Sequence, residues 1–563
     1  MRLVVVGGVA GGMSAAARAR RLDESAEIVV LERGPHVSFA NCGLPYFVGG
    51  EITDPERLLV QTPESLRGAL ALDVRTGHEV VGLDPEARTV TVRTPAGVEE
   101  LGYDALVLSP GARAVRPPIP GLDSPRVSTL RTVDDALALR ERVVEGATDA
   151  VVLGAGFIGV EAAEALAAAG LRTTLVELAP HVLPPVEEEL AWYATNALLR
   201  LGITVRTGVA AVRVEHGPER DVVVLDDGTR VDADLVVLAV GVRPDTELFE
   251  RAGVACVRGA IVVDEHGRTS QPGIWAVGDA VASVDAVTGA VRPVPLAGPA
   301  NRAGRLVADD IFRPETARPM PPAAGTAIVR VGDVTVALTG ANRAALDAAG
   351  LPYRTLHLHP GSHAGYFPGA GTVHLVVHIA PDGRLLGAQA AGEDGVDKRI
   401  DVLATAIRAG MGVDDLVDLD LAYAPPYGSA KDPISMVGYL GANVVDDTLR
   451  LWYAQDVEQV MGTALVLDTR TPGEFAQGHL TGALNVPHTQ LRERLDEVRA
   501  AAAGRPVRVM CASGSRSYLA HRVLAAHGFD SASLSGGMDT LTAVIGLRSR
   551  SAAGAPEPAG ASA

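Results

Sequence analysis

Three of the 563 residues can act as sulfur nucleophiles: Cys42, Cys256 and Cys511. An odd number at long spacings suits neither a disulfide framework nor a C-x-x-C metal site, so each thiol acts alone and no metal is expected. Cys42 lies in Ser38-Phe-Ala-Asn-Cys-Gly-Leu-Pro-Tyr46, which holds no second cysteine. Once oxidised it must borrow a sulfur from elsewhere or become a sulfenic acid. The alternative is a buried structural thiol, the usual state of a free cysteine. Cys256, between Ala255 and Val257 with no motif around it, reads as structural. Cys511 follows the apolar run Val507-Arg-Val-Met and opens the loop Cys511-Ala-Ser-Gly-Ser-Arg-Ser517. Amides of such a loop, including those of Ser513 and Gly514, and the start of the helix expected over 518–526 favour a thiolate and then a persulfide, with Arg516 adding positive charge.

The elements around Cys42 are those of a nucleotide-binding unit. Leu3-Val-Val-Val6 predicts a buried strand, Gly7, Gly8, Gly11 and Gly12 a glycine turn, 13–21 a helix, and Ile28-Val-Val-Leu-Glu32 a second strand ending in an acid. A second copy runs through 150–153, Gly154-Ala-Gly156-Phe-Ile-Gly159, a helix over 160–169 and Thr173-Thr-Leu-Val-Glu177. Two such strand-turn-helix-strand-acid units predict dinucleotide binding: glycine admits the pyrophosphate close to the backbone, and the helix start offers free amides. The first copy departs from the pattern, because Val9 stands where the second glycine is usual. Three further strands run into turns holding Gly111, Gly241, and Gly278 with Asp279.

On these residues, 1–445 resembles the pyridine nucleotide-disulfide oxidoreductase family, and within it the coenzyme A-disulfide reductases and their persulfide-reductase relatives. The resemblance implies an α/β fold with two Rossmann-like nucleotide-binding domains. FAD would bind over 1–112 and 246–318, and NAD(P)H over 113–245. An α+β dimerisation domain would follow over 326–445, with a homodimer as the assembly. It further implies that Glu32, Arg33 and Asp279 bind the flavin, Asp279 at its ribityl chain, and that Cys42 rests as a mixed disulfide with coenzyme A. Carried over residue by residue, it places the substrate against Ser14, Arg18, Arg21, Ser38, Asn41, Asn301 and Lys431. Asn301 departs from a histidine found in some coenzyme A-disulfide reductases. Tyr366 and Tyr423, supplied by the partner subunit, would protonate or steady the leaving thiolate.

The residues add readings of their own. Arg18 and Arg21 lie three apart and share a helix face, where they either pair with phosphates or form a solvated basic surface. Only Lys398 and Lys431 are lysines, a scarcity that gives Lys431 weight as a compact cation. Glu177 repels a 2′-phosphate and favours NADH, whereas Arg172, close in sequence, leaves NADPH open.

At the C-terminal end, Leu465-Val-Leu-Asp-Thr-Arg-Thr-Pro-Gly-Glu474, Gly478-His-Leu-Thr-Gly-Ala-Leu-Asn-Val-Pro487 and the Cys511 loop resemble, in that order, a single α/β rhodanese domain over 455–547. Asp468, Arg470 and Glu474 read as fixing the loop, and His479 as structural. Residues 313–325 read as a connection and 548–563 as a disordered tail. A net charge of −18 argues against a nucleic-acid groove. No long apolar run or leader precedes the first strand, so a cytoplasmic protein away from membranes is expected. The resulting expectation is NADH-driven reduction of coenzyme A disulfide, coenzyme A persulfide or polysulfide at Cys42, with Cys511 carrying sulfane sulfur. An NADH oxidase or peroxidase cycling Cys42 through sulfenic acid, and a sulfur-trafficking or redox-sensing protein, remain open alternatives.

Overall fold

The computed structural model describes residues 1–553, with side chains to residue 550, and its contacts divide the chain into two units, 1–176 with 209–325 and 177–208 with 326–563. In the first unit, β1 (Arg2–Val6), α1 (Ala10–Leu22) and β2 (Glu27–Glu32) realise the first expected β-α-β turn. Leu3, Val4 and Val5 are fully enclosed, each contributing about 1.5–3 kcal/mol of apolar burial. β3 (Asp73–Thr76) and β4 (Ala105–Leu108) extend the sheet on either side.

The second β-α-β turn follows β5 (Val127–Ser128) and consists of β6 (Asp149–Leu153), α2 (Phe157–Ala168) and β7 (Arg172–Glu177). The next helix, α3 (Glu188–Arg200), belongs to the second unit. β8 (Leu235–Leu238) and β9 (Ile274–Ala276) complete two parallel sheets, ordered β9-β4-β1-β2-β3 and, further along the chain, β7-β6-β8-β5. The strand expected from Leu235 ends at Leu238 and runs into the expected turn, where Gly241 has φ +105°. α4 (Ala297–Phe312) packs against α1.

The second unit opens its own architecture with β10 (Ala327–Val331), β11 (Val334–Gly340), β12 (Arg354–Leu358), β13 (His374–Ile379) and β14 (Leu385–Gly392), an antiparallel sheet in the order β10-β11-β14-β13-β12. α5 (Val396–Ala409) covers it through Ile400, Leu403 and Ile407. α6 (Pro433–Val445), capped by the Asp432 side chain, leads to the last sheet. That sheet is parallel, with β15 (Leu451–Trp452), β16 (Leu465–Asp468), β17 (Leu484–Asn485), β18 (Val507–Met510) and β19 (Ser531–Leu534) in the order β15-β19-β18-β16-β17. α7 (Ser515–Ala526) follows β18, and α8 (Gly537–Ala553) packs against α3.

Two expectations change here. The domain expected from 455 already begins with β15, whose Trp452 is buried in its core. The tail expected from 548 starts instead as the last turns of α8, because Leu541, Val544 and Leu547 bury one face and Arg548 pairs with Glu188 at 2.7 Å. The remainder of that expected tail, 554–563, lies outside the described residues.

Candidate functional site: two sulfur centres and two nucleotide cradles

Both glycine turns are built alike. Gly7 and Gly154 share φ +96°, and a Cβ on either would strike a carbonyl oxygen of the neighbouring strand's loop, Ser109 at 2.0 Å or Ala239 at 2.5 Å. Gly12 and Gly159 press against the carbonyls of Gly7 and Gly154, at 2.0 and 1.9 Å from a hypothetical Cβ, so helix and turn meet at backbone distance. Val9 proves harmless: it has φ −107°, its counterpart Gly156 has φ −70°, and a Cβ on Gly156 would meet nothing within 4 Å.

Neither α1 nor α2 has a side-chain N-cap, unlike helices headed by Thr62, Thr132 or Asn342. Their first amides are left for an anion such as a pyrophosphate. The Glu32 carboxylate is aimed by the amides of Gly8 and Gly34, both at 2.9 Å, and that of Glu177 by the Ala179 amide at 2.8 Å. These features fit a dinucleotide at each turn. Arg33 is drawn to Asp245 at 2.6 Å. Arg172, close to Glu177 in sequence, stands at the other end of β7, about 16 Å away at strand rise, and pairs with Asp149 at 2.6 Å. It therefore does not counter the carboxylate of Glu177.

Cys42 sits on a short 3-10 turn over Asn41–Gly43, and the segment that leads into it is bonded to the first cradle. The Ser38 amide bonds the Gly8 carbonyl at 2.9 Å, and Ser38 itself is held in the left-handed region at φ +46°. A non-glycine residue there costs on the order of 1–3 kcal/mol, a strain typical of functional loops. Cys42 is exposed, yet partial enclosure of its sulfur, then the carboxylates of Glu161 and Asp279, push its thiol up.

The reading of the sequence passed over three neighbours of Cys42. Arg131 pairs with Asp279 at 3.0 Å, bonds the Ala112 carbonyl at 2.5 Å and accepts from Asn41 at its own carbonyl, at 3.4 Å. Tyr46 donates to Glu161 at 3.5 Å. The one available signal was Tyr46, inside the Cys42 motif; Arg131 and Glu161 come from distant segments.

Of the expected substrate residues in this unit, Ser14 and Asn301 meet directly, Oγ to Oδ1 at 2.6 Å. Arg18 is engaged by Asp309 at 2.6 Å, whereas Arg21 is exposed. Gly11 carries α1 past Val277, and Gly111 and Gly278 turn with φ +71° and +82°.

In the second unit the hydroxyls of Tyr366 and Tyr423 lie 2.8 Å apart, and this bond raises the Tyr366 phenol. Lys398 is explained by its contacts with Asp432 at 3.6 Å and the carbonyls of Ala422 and Tyr427. Lys431 is exposed.

Cys511 is buried at the end of β18, and its sulfur receives the Gly514 amide at 3.2 Å and approaches the Ser517 hydroxyl at 3.3 Å. Ser517 was not singled out from the sequence. Ser533 and the Gly514 carbonyl hold it, at 2.9 and 3.0 Å. Ser513 lies half-buried in the same loop.

Arg516 is shared: Glu474 takes it bidentately at 2.6 and 2.8 Å, which holds the Glu474 carboxyl well below the usual range, and its guanidinium also bonds the Cys511 side chain, so its positive charge stays beside the thiol. Asp468 pairs with Arg470 at 2.6 Å, Arg470 also bonds the Gly478 carbonyl at 2.7 Å, and His479 stacks on Phe475, all structural contacts. Cys256 pairs in a two-residue ribbon with Ile261 and packs against the apolar core.

Residues 1–294 match the pyridine nucleotide-disulphide oxidoreductase family, 326–432 its dimerisation domain and 453–543 the rhodanese-like domain. The chain therefore belongs to the pyridine nucleotide-disulphide oxidoreductases, the flavoprotein disulfide and persulfide reductases, and carries a rhodanese-like domain at its C-terminal end. More particularly, it is 35% identical over 443 residues to the coenzyme A disulfide reductase of Staphylococcus haemolyticus (strain JCSC1435), covering 78% of this chain and 98% of that protein. The structure of reduced Bacillus anthracis CoADR-RHD superposes with a TM-score of 0.94 at 41% identity, over 97% of this chain and 98% of that one. The NAD-dependent persulfide reductase from A. fulgidus gives 0.89 at 36% identity, over 96% and 100%. No described helix is long and apolar enough to cross a membrane.

Proposed function

We propose that this chain is an NADH-driven reductase of coenzyme A disulfide, coenzyme A persulfide or polysulfide, working through Cys42 as a cytoplasmic homodimer, with Cys511 as a sulfane-sulfur carrier. The observation that carries the reading is an exposed cysteine without a second cysteine in its motif, on a segment that Ser38 ties to one of two dinucleotide cradles, in a chain that also holds a rhodanese cysteine. The first cradle, with Glu32, Arg33 and Asp279, would hold FAD; the second, with Glu177, would hold NADH. FAD, when bound, supplies two-electron transfer between nicotinamide and sulfur.

The chain's own part is sulfur exchange. The Cys42 thiolate attacks the coenzyme A-bearing sulfur of a coenzyme A disulfide or persulfide, forming the mixed disulfide and releasing coenzyme A thiolate or hydrosulfide. Two electrons originating on NADH then cleave that mixed disulfide, returning Cys42 as thiolate and freeing coenzyme A. Tyr366 and Tyr423, reaching in from the partner subunit, supply the proton to the leaving thiolate. Ser14, Arg18, Arg21, Ser38, Asn41, Asn301 and Lys431 would bind coenzyme A, with Arg21 and Lys431 the exposed cations for its phosphates.

Steady-state turnover of each substrate by wild type, Cys42→Ser and Cys511→Ser tests the reading, with mass spectrometry of Cys42 beside it. We expect a coenzyme A adduct on Cys42 and loss of reductase turnover in Cys42→Ser. A Cys42 sulfenic acid with fast peroxide turnover would replace this reading by the oxidase or peroxidase one. Hydride transfer faster from NADPH than from NADH would overturn the role of Glu177.

A further inference from the structure

The second unit encloses a cluster of titratable side chains that neither sulfur centre uses. His357 on β12 sets Nε2 at 2.6 Å from Glu189 Oε1 and Nδ1 at 2.7 Å from Ser535 Oγ. Carboxylate, imidazole and hydroxyl in series reproduce the contacts of a hydrolase triad. Yet Glu189, His357 and Ser535 are 2%, 3% and 2% exposed, so no substrate reaches the hydroxyl.

The hydrogen-bond directions follow from the acceptors. Nε2 lies 2.6 Å from Glu189 Oε1 and 3.2 Å from Arg343 Nη2; the carboxylate is the shorter partner and only accepts, so Nε2 carries the proton and donates to Glu189, and the guanidinium spends its protons on the carboxylates. Nδ1 then accepts, and Ser535 Oγ donates to it while accepting the His357 backbone N–H at 3.2 Å. Burial keeps His357 below its ordinary value, hence neutral, and Arg343 pairs with both Glu189 and Glu187.

Ser535 opens the turn Ser535-Gly-Gly-Met538, whose glycines have φ +69° and +63°. A Cβ on Gly536 would lie 2.7 Å from the His357 Cβ, and one on Gly537 would lie 2.5 Å from the Ala512 carbonyl oxygen and 2.7 Å from that of Cys511. The amides of Met538 and Asp539 donate to the carbonyls of Cys511 and Ala512 at 2.8 and 3.0 Å. The turn is wedged between His357 and the backbone of the sulfur-carrying cysteine.

We propose that Glu189, His357 and Ser535 form a positioning relay that holds the Cys511 loop in its sulfur-accepting geometry. The proposal rests on the reading of Cys511 as a sulfane-sulfur carrier. Without the Ser535 hydroxyl, the imidazole loses its proton donor, the turn relaxes away from His357, and the Gly514 amide is no longer aimed at the Cys511 sulfur.

The test uses the full-length holoenzyme with thiosulfate as sulfur donor and cyanide as acceptor. Cys511 thiolate takes the outer sulfur of thiosulfate, releasing sulfite and leaving a persulfide; cyanide removes that sulfur as thiocyanate and restores the thiolate. Ser535→Ala is expected to lower kcat for thiocyanate about tenfold, the worth of one buried hydrogen bond, with KM for cyanide little changed. It should also shift the pH profile of Cys511 alkylation, followed by peptide mass spectrometry, to higher pH. Ser535→Thr, which keeps the hydroxyl, should restore both. NADH reduction of the flavin serves as the control for an intact fold.

An unchanged alkylation profile with kcat within twofold of wild type overturns the relay, and so does a loss that Ser535→Thr fails to restore. If Cys511→Ser makes thiocyanate as fast as wild type, the carrier reading fails instead, while the alkylation profiles still decide the relay.

Discussion

At the scale of single residues, charge is placed by what each group pairs with, and sequence neighbourhood is a poor guide to that. Arg516 in the rhodanese loop is divided between Glu474 and the Cys511 side chain, and the neutral Gly514 amide and Ser517 hydroxyl face the same sulfur. Ser517→Ala should therefore slow loading of Cys511 with sulfur roughly three- to tenfold, the range for one hydrogen bond to a developing charge. Thiocyanate formation measures it, and an unchanged rate would remove Ser517 from the site. Lysine scarcity singled out Lys431; contacts explain Lys398 and leave Lys431 exposed. Such distinctions depend on partners that no local pattern encodes.

At the scale of elements, the glycine turns were legible because their demand is local: positive φ and backbone-to-backbone approach admit only glycine. Gly154→Ala forces a Cβ to 2.5 Å from the Ala239 carbonyl oxygen at a φ of +96°, so KM for NADH should rise at least about tenfold while flavin remains bound. Stopped-flow reduction by NADH reads this directly, and normal saturation would contradict the cradle's role.

A second prediction concerns the histidines of the second unit. Burial lowers His374 on β13 and, with Arg522, His521 on α7, each to about 4, while the unfolded chain titrates near about 6.5. Between these values the unfolded state binds more protons, so stability is complete above about pH 6.5 and is lost as pH falls toward 4. Each histidine should cost on the order of 1–2 kcal/mol at pH 5. Calorimetry at pH 7 and 5 should show a lower Tm at pH 5 for wild type and a smaller drop for His521→Gln; equal drops would show that His521 is not the source.

At the scale of the whole molecule, the rhodanese-like region is part of the second unit and not a loosely tethered appendage. Ser535 and Thr540 bond His357 and His359, Gln455 and Arg548 bond Glu188, and α8 lies along α3. Ending the chain after Val445 would strip these partners from buried histidines and acids. We expect the thermal transition of the remaining part of the second unit to fall by about 5 °C or more, measured by calorimetry, whereas NADH reduction of the flavin persists. An unchanged transition would mean that the two sheets are energetically independent.

The amino-acid sequence by itself determined the two nucleotide units, their order, the lone cysteine of the first motif and the rhodanese loop, because period-two and helical patterning, glycine turns and strand-end loops are short-range requirements written into a few consecutive residues. Only the tertiary structure decided that 177–208 packs with the second unit, that Arg18 answers to Asp309 and Arg172 to Asp149, and that Glu189, His357 and Ser535 meet at the turn that bonds the Cys511 carbonyl. Those partners are tens to hundreds of positions apart, and a buried charge reveals its role only through the group that compensates it.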